Sequence, residues 1–314
     1  GTATVSTDVT LDSTGDQNTD DISLAAVIGA GGTEDLILDA GALAQITASG
    51  SITNLTDISI RDSGGATFGG AVTAGNDFII SESAGDIIFN GALTAGTFTQ
   101  TADANTAYNL EFNAGGTITD AVNFSNAGTV TIGDGTGTDV MTFTGGLIVT
   151  TPTALTLAQT IATTNQTMTL GDGNTGITLA ADTILNAGNG ALNINGAVTG
   201  GGFSLALNTT GTTTIGAAIT GITTLTTNAN GTTIINANVS SSGTQTYNDN
   251  VTLSGAARTL TSTSSGAIFF DGTIDGTQDL TVATGGLTTF DGLVGSTTIL
   301  GAIDISGAGG LDLD

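Results

Sequence analysis

The chain has 314 residues and a formal net charge of −26, because its 28 Asp and Glu residues are opposed by two basic residues, Arg61 and Arg258. Binding to nucleic acid or to an anionic membrane surface needs Lys and Arg, so neither partner is expected. The absence of His and Cys excludes imidazole and thiol catalysis and the usual zinc sites. A hydrophobic content of 39% argues for a folded chain rather than a disordered one.

The N-terminal segment, residues 1–30, opens with the alternating run GTATVSTDVTL, which predicts a strand almost from the first residue. The best helix candidate follows at residues 22–28 (ISLAAVI), but it is short and lies against the glycine-rich run IGAGG. Elsewhere the apolar residues alternate with polar ones instead of recurring at helical spacing. We therefore expect an all-β fold with essentially no α-helix.

Further along the chain, six segments share one pattern of apolar residues and glycines. Each has an Ile or Phe, a small or polar residue, an alternating run, a turn and a second alternating run. The copies are ATFGGAVTAGNDFII (66–80), GDIIFNGALTAGTFT (85–99), GALNINGAVTGGGFSLAL (190–207), GTTTIGAAITGITTLTT (211–227), GAIFFDGTIDGTQDLTV (266–282) and GLTTFDGLVGSTTIL (286–300).

Neighbouring copies begin about 19 to 21 residues apart, and a period of this size is typical of a solenoid. The pattern predicts a single parallel β-solenoid over residues 1–314, with about 15 coils of about 20 residues and a length of roughly 70 Å at the usual strand spacing. Inward positions take Ile, Leu, Val and Phe, and outward positions take Thr, Ser and Asn. Glycine at the corners is expected to supply positive φ angles.

An antiparallel sandwich array is the alternative fold, and it would need hairpin turns between paired strands. Four dipeptides of the hairpin type are present: Asn90-Gly91, Asn195-Gly196, Asp271-Gly272 and Asp291-Gly292. They recur at one position of the repeat, which favours a solenoid corner.

The copies over residues 241–296 resemble the β-strand-repeat surface proteins of bacteria, which are long exported chains related to filamentous haemagglutinins and autotransporter passengers. Residues 1–190 match this style more loosely, and the resemblance covers about two thirds of the chain. It implies a right-handed parallel β-helix, export, and an extracellular or cell-surface location. The family shares no catalytic residues, so none is carried over.

Carboxylate chemistry is the remaining route to catalysis, because some parallel β-helices degrade polysaccharides with clustered Asp residues. The pairs Asp20-Asp21 and Glu34-Asp35 lie in glycine-rich turns, where solvated acids are the simplest interpretation. Polysaccharide binding or degradation is therefore the second alternative to a structural function, and we expect no enzyme and no required cofactor.

Calcium is the cofactor that the sequence suggests most directly. The run GDGTGTDVM (133–141) is close to one copy of the calcium-binding repeat of β-rolls, and it makes Asp134 and Asp139 the candidate ligands. A turn facing water is the alternative interpretation. A second acidic cluster consists of Asp12, Asp16, Asp20 and Asp21.

Both ends of the chain look like open coils. Residues 1–30 are expected to pair with a neighbouring copy or to donate a strand to it, and residues 300–314 are expected to form an open C-terminal coil. The first residue is Gly1, which we interpret as a sign of a processed or excised piece. No apolar run approaches the roughly 20 residues of a membrane helix, so membrane insertion is not expected.

The charges are unevenly distributed, and residues 183–248 carry none. This tract predicts either a surface solvated by hydroxyls and amides or a lateral contact between copies. The sequence as a whole predicts an extracellular structural protein whose copies join head to tail into a surface filament, fibre or sheath. A stalk section of a large bacterial adhesin is the alternative.

Overall fold

The computed structural model describes residues 1–14, 20–101 and 107–313, and all the regular structure in these ranges is β-strand. The parallel strands stack as a β-solenoid of about 14 turns, which confirms the predicted fold class. Residues 22–28, the best helix candidate, contribute to two strands instead. Within the same ranges, the chain has no helix of the length and apolarity needed to cross a bilayer.

The chain forms two compact units, Gly1–Gln159 and Thr160–Asp314. Both are built from the same coil, in which three short strands follow one another around the core. The first, second and third strands of a coil lie on faces A, B and C, respectively. The prediction of one solenoid domain and the right-handed sense of the coil stay predictions.

The strands of the first unit are β1 (Thr2–Val5), β2 (Val9–Asp12), β3 (Ile22–Leu24), β4 (Ala26–Gly29), β5 (Leu36–Gly41), β6 (Ile46–Ala48), β7 (Ile52–Leu55), β8 (Ile58–Ser63), β9 (Ala66–Phe68), β10 (Val72–Ala74), β11 (Asp77–Ile80), β12 (Ile87–Phe89), β13 (Leu93–Ala95), β14 (Thr97–Gln100), β15 (Leu110–Phe112), β16 (Gly116–Ile118), β17 (Val122–Phe124), β18 (Thr129–Ile132), β19 (Val140–Phe143), β20 (Leu147–Val149) and β21 (Ala154–Leu157). On face A, parallel pairing runs from β1 through β4, β7, β10, β13 and β16 to β19, and on face C it runs from β3 through β6, β9, β12, β15 and β18 to β21. Face B has a five-stranded sheet from β2 to β14, followed by the pair β17 and β20.

The strands of the second unit are β22 (Thr160–Thr163), β23 (Met168–Leu170), β24 (Gly176–Leu179), β25 (Thr183–Gly188), β26 (Leu192–Ile194), β27 (Val198–Thr199), β28 (Leu205–Thr209), β29 (Thr212–Ile215), β30 (Ile219–Ile222), β31 (Leu225–Thr227), β32 (Thr232–Ile235), β33 (Val239–Ser241), β34 (Gln245–Tyr247), β35 (Asn250–Leu253), β36 (Arg258–Ser262), β37 (Ile268–Phe270), β38 (Ile274–Asp275), β39 (Leu280–Thr284), β40 (Thr288–Phe290), β41 (Ile303–Ser306) and β42 (Leu311–Leu313). Face A runs from β22 to β42 and face C from β24 to β41, and all their pairs are parallel. Face B runs from β23 to β38 and is extended by a bridge between Ile274 and Val294.

Coil length varies more than the sequence repeat suggested. The register Thr232↔Asn250 corresponds to a coil of 18 residues, whereas Val9↔Leu36 corresponds to one of 27. Coils longer than 20 residues reduce the number of turns, which is why the solenoid has about 14 turns instead of about 15.

The Asn-Gly and Asp-Gly dipeptides lie at corners, as predicted, but the reason for the glycine is different. None of Gly91, Gly196, Gly272 and Gly292 has a positive φ. A Cβ at Gly91 would instead lie 2.3 Å from the carbonyl carbon of Gly70 in the preceding coil. These corners need glycine because the backbones of successive coils approach too closely for a side chain.

Aromatic rings fill the core of the first unit. On face C, the Phe89 ring stacks between Phe68 and Phe112, with centroid distances of 5.1 and 5.3 Å. From face B, Phe78 meets the same ring edge-on at 5.2 Å. Stacking in register is possible because the parallel pairing places equivalent side chains directly above one another.

Replacing Phe89 with Ala should lower the free energy of unfolding by about 3–5 kcal/mol, because the cavity cannot close between two stacked rings. The measurement is urea unfolding followed by circular dichroism. Thr94→Ala is the matched control, since Thr94 is exposed on face A. Equal stability of the two variants would show that this ring column does not support the fold.

Candidate functional site: open strand edges

The second unit ends in strands that are paired on one side only within the described residues. β41 pairs with β39, and β42 pairs with β40. Leu313 continues the inward column of Phe290, yet Leu313 is 66% exposed and Phe290 only 3%. The last coil therefore presents core positions and unpaired backbone groups to solvent.

Exposed apolar side chains are concentrated at this end of the second unit. Within residues 287–313 the exposed large hydrophobic residues are Leu287, Leu293, Val294, Ile299, Ile303, Leu311 and Leu313. Apolar surface of this density is typical of an interaction site. We call this surface, together with the free edges of β41 and β42, the C-terminal edge.

A carboxylate holds part of the C-terminal edge in place. Asp275 Oδ1 accepts hydrogen bonds from the backbone N–H groups of Thr297 at 2.8 Å and Thr298 at 3.0 Å. The bonds from Thr298 and then Thr297 hold the pKa of Asp275 below its usual range. The segment before Ile299 is thus anchored to face B by an ionised side chain.

The first unit begins with the complementary edge. Within the described residues, β1, β2 and β3 each pair on one side, with β4, β5 and β6. Thr2, Ala3 and Thr4 are exposed, and the inward Val5 is buried. In the described part of this first coil, four carboxylates are exposed: Asp8, Asp12, Asp20 and Asp21. We call this surface the N-terminal edge.

The predicted calcium ligands lie in an exposed loop before β19. Asp134 Oδ1 accepts hydrogen bonds from the Thr136 backbone N–H at 2.7 Å and from its hydroxyl at 2.8 Å, and these bonds lower the pKa of Asp134. Asp139 directly precedes β19 and is also exposed. The described part of the chain brings no group of three or more acids together around a cation position. Calcium binding at Asp134 and Asp139 stays a prediction.

The second acidic cluster is only partly visible, because Asp16 lies outside the described residues. The Asp12 carboxylate accepts hydrogen bonds from the Thr14 hydroxyl and from its backbone N–H, and both lower the pKa of Asp12. Ser13 donates through its hydroxyl to the carbonyl of Asp20. Among the described residues, these contacts involve the side chains of Ser13 and Thr14 and join no two carboxylates.

Sequence reasoning missed a column of four aspartates on face B of the first unit. In this aspartate column (Asp8, Asp35, Asp57 and Asp77), the Oδ1 atom of each of the first three accepts the backbone N–H of the next Asp, with N–O distances of 3.1, 3.3 and 3.0 Å. Burial and the neighbouring Asp57 and Asp8 raise the pKa of Asp35. The signal was present in the sequence, because each Asp directly precedes the apolar start of an alternating run.

A buried acid in the second unit was also missed. Asp249 is 1% exposed, and its carboxylate accepts hydrogen bonds from the Gly231 N–H at 2.8 Å and from the Thr233 hydroxyl at 3.0 Å. Burial raises the pKa of Asp249 despite these two bonds. No cation faces it among the described residues, so the charged carboxylate is destabilising.

Replacing Asp249 with Asn should stabilise the protein at neutral pH, because Asn keeps an acceptor for Gly231 without the buried charge. An Asp whose folded pKa is raised destabilises the fold as pH increases from the unfolded pKa, about 3.9, through the folded pKa. The stability advantage of D249N should therefore appear over that range and persist above it. Urea unfolding of both proteins from pH 3 to pH 8 checks this, with the exposed Asp271→Asn as control. A pH-independent difference would contradict the assignment.

The uncharged tract, residues 183–248, contributes strands to all three faces of the second unit, and its strands β27, β30 and β33 give face C a polar surface. A shallow depression of about 320 Å³ there is lined by Thr220, Asn238, Ser240 and Thr261, among others. The Thr220 hydroxyl donates to the carbonyl of Val198 in the preceding coil at 3.1 Å. The surface therefore combines small polar side chains with hydroxyls that are hydrogen-bonded along the stack.

Comparison with known proteins returned no relative: no family model, curated protein or solved structure matches this chain.

Proposed function

We propose that this chain is an extracellular structural protein, a stiff acidic β-solenoid whose copies join end to end into a surface filament, fibre or sheath. The observation that carries the proposal is the pair of open edges. The N-terminal and C-terminal edges are the two ends of parallel ladders, and each has backbone donors and acceptors without a strand partner within the described residues.

Contact between the N-terminal edge of one copy and the C-terminal edge of another is more favourable than contact between two like edges. In each unit, every coil stacks on the same side of the coil before it. The free edge of β42 is therefore equivalent to the edge of β40 that pairs with β42. The free side of β1 is the opposite side. Contact between unlike edges continues a parallel ladder and repeats without closing, which produces a filament.

The charge of the chain should regulate this contact. The first coil exposes Asp8, Asp12, Asp20 and Asp21, while the last coils expose Asp291, Asp304 and Asp312. Carboxylates facing one another across a joint repel, and added salt screens that repulsion within a Debye length of about 10 Å at 0.1 M. Assembly should therefore need salt, and calcium at the joints would act in the same direction.

Lateral packing of filaments is the second part of the proposal. Residues 183–248 allow two acidic copies to approach without bringing carboxylates together. Their small, hydroxyl-rich side chains also permit close contact between flat faces.

The extracellular location rests on the resemblance to bacterial β-strand-repeat surface proteins, which remains a proposal. A stalk section of a large adhesin is the alternative function, and it is favoured by the same open edges. In that case further coils of a longer chain, rather than another copy, would cover them.

Negative-stain electron microscopy of the purified chain over a concentration series tests the assembly. We expect unbranched filaments whose length increases with protein concentration and with salt, because apolar side chains become buried and the end charges are screened. Parallel samples with calcium and with EDTA test whether calcium acts at the joints.

Single particles at every protein and salt concentration would exclude end-to-end assembly and support the adhesin stalk. As a matched pair of variants, Ser240→Glu should reduce bundling of filaments side by side, whereas Thr131→Glu, on face C of the first unit, should not. Equal bundling in the two would exclude residues 183–248 as the lateral contact.

A further inference from the structure

The chain contains four Asn-Gly dipeptides, and one of them has a different chemical environment from the rest. All of their asparagines are exposed: Asn90, Asn189, Asn195 and Asn230. Asparagine followed by glycine is especially prone to deamidation, because glycine has no side chain to hinder attack of its backbone nitrogen on the asparagine amide. That attack requires the nitrogen to lose its proton, so the acceptor of each glycine N–H determines how readily the asparagine reacts.

Backbone carbonyls face the glycine N–H in three of these dipeptides. The N–H groups of Gly91, Gly190 and Gly196 donate to the carbonyls of Phe68, Ala187 and Leu170, with N–O distances of 3.3, 2.9 and 3.1 Å. A carbonyl oxygen accepts a hydrogen bond but does not remove the proton at neutral pH. These bonds therefore hold the nitrogen in its unreactive form and protect the asparagine before it.

The remaining dipeptide faces a buried carboxylate. Gly231 donates its N–H to Asp249 Oδ1 at 2.8 Å, which lies within the range for a general base and the proton that it removes. The other oxygen of Asp249 accepts the Thr233 hydroxyl at 3.0 Å, and this bond fixes the orientation of the carboxylate. Burial raises the pKa of Asp249, which makes its carboxylate a stronger base.

We propose that Asp249 is the general base of a self-modification reaction in which Asn230 deamidates. Asp249 takes the N–H proton of Gly231 while the nitrogen attacks Cγ of Asn230 and forms a succinimide ring. The Cγ–Nδ2 bond breaks, and Nδ2 leaves as ammonia with the proton that Asp249 returns. Water then opens the ring, at Cγ to give aspartate or at the main-chain carbonyl carbon to give isoaspartate. The reaction is independent of the proposed assembly.

The packing of successive coils explains the glycine at position 231. A Cβ there would lie 2.6 Å from the carbonyl oxygen of Thr209 and 2.8 Å from that of Gly211, both in the preceding coil. Any larger residue would therefore push the coils apart. Asn230 has a φ of 77°, in the left-handed region that Asn adopts more readily than most residues. The corner thus favours the two residue types that make the dipeptide reactive.

Deamidation would place a new charge on an uncharged part of the surface. Residues 183–248 carry no charged side chain, and the reaction introduces a carboxylate at the exposed position 230. Isoaspartate also adds a main-chain carbon atom to the corner between β31 and β32. The surface of the second unit therefore changes with the age of the molecule.

Peptide mapping by mass spectrometry tests the proposal in the folded protein. During incubation at neutral pH, Asn230 should deamidate faster than the asparagines of the other Asn-Gly dipeptides, and the reacted protein should move to a more acidic position in isoelectric focusing. In concentrated urea all of the dipeptides should react at similar rates, because Asp249 no longer faces Gly231. Equal rates at every dipeptide in the folded protein, or the slowest reaction at Asn230, would overturn the proposal.

Two variants separate the base from the hydrogen bonds around it. Asp249→Asn keeps an acceptor for the Gly231 N–H but cannot remove its proton, so deamidation of Asn230 should slow by about 100-fold or more, the usual contribution of a general base. Thr233→Val removes the other hydrogen bond to Asp249 and keeps the base, so Asn230 should still react rapidly.

The other Asn-Gly dipeptides serve as the internal control for unfolding, and their rates should be the same in both variants. An unchanged rate at Asn230 in Asp249→Asn, or an equal loss in the two variants, would show that Asp249 is not the base.

Discussion

Parallel hydrogen bonding between successive coils is the interaction on which the rest of this structure depends. In the described ranges every strand is short and none has a partner within its own coil, so each is stable only because a neighbouring coil continues the ladder. The ladder places equivalent residues above one another at about 4.8 Å. That spacing explains the stacked rings around Phe89 and the glycine at position 91. It also explains why an uncovered end exposes core positions such as Leu313.

The same spacing gives several acids of this chain a structural function. An Asp that directly precedes a strand accepts the backbone N–H at the equivalent position of the next coil, as in the aspartate column on face B. Asp86 and Asp182 make the same contact with Asn109 and Ser204. Such bonds stabilise the corners but bring like charges close together, which raises the pKa of Asp35. Acidity in this protein is therefore partly a consequence of how its corners are built.

The interior is more polar than alternating hydrophobicity suggested. In the second unit, hydroxyls at the corners face inward and bridge two coils. Thr284, for example, accepts the Gly286 N–H at 3.0 Å and donates to the Gly266 carbonyl at 2.6 Å. Gln245 and Tyr247 are also buried, and the Tyr247 hydroxyl donates to Gln245 Oε1 at 2.9 Å. A Thr or Ser has no sequence feature that separates an outward position from an inward corner, since both satisfy the two-residue period. The alternating pattern therefore predicted outward positions for all of them.

The all-β class, the parallel solenoid and the corner dipeptides followed from the sequence by itself, because a repeat in which apolar residues alternate and glycines recur is compatible with few other folds. The position of each carboxylate was decided by the tertiary structure, because it depends on which residue of the next coil lies 3 Å away, and coil length varies from 18 to 27 residues. Asp249 shows this clearly: nothing around it in sequence marks it as buried, and its environment comes from Gly231 and Thr233 one coil earlier.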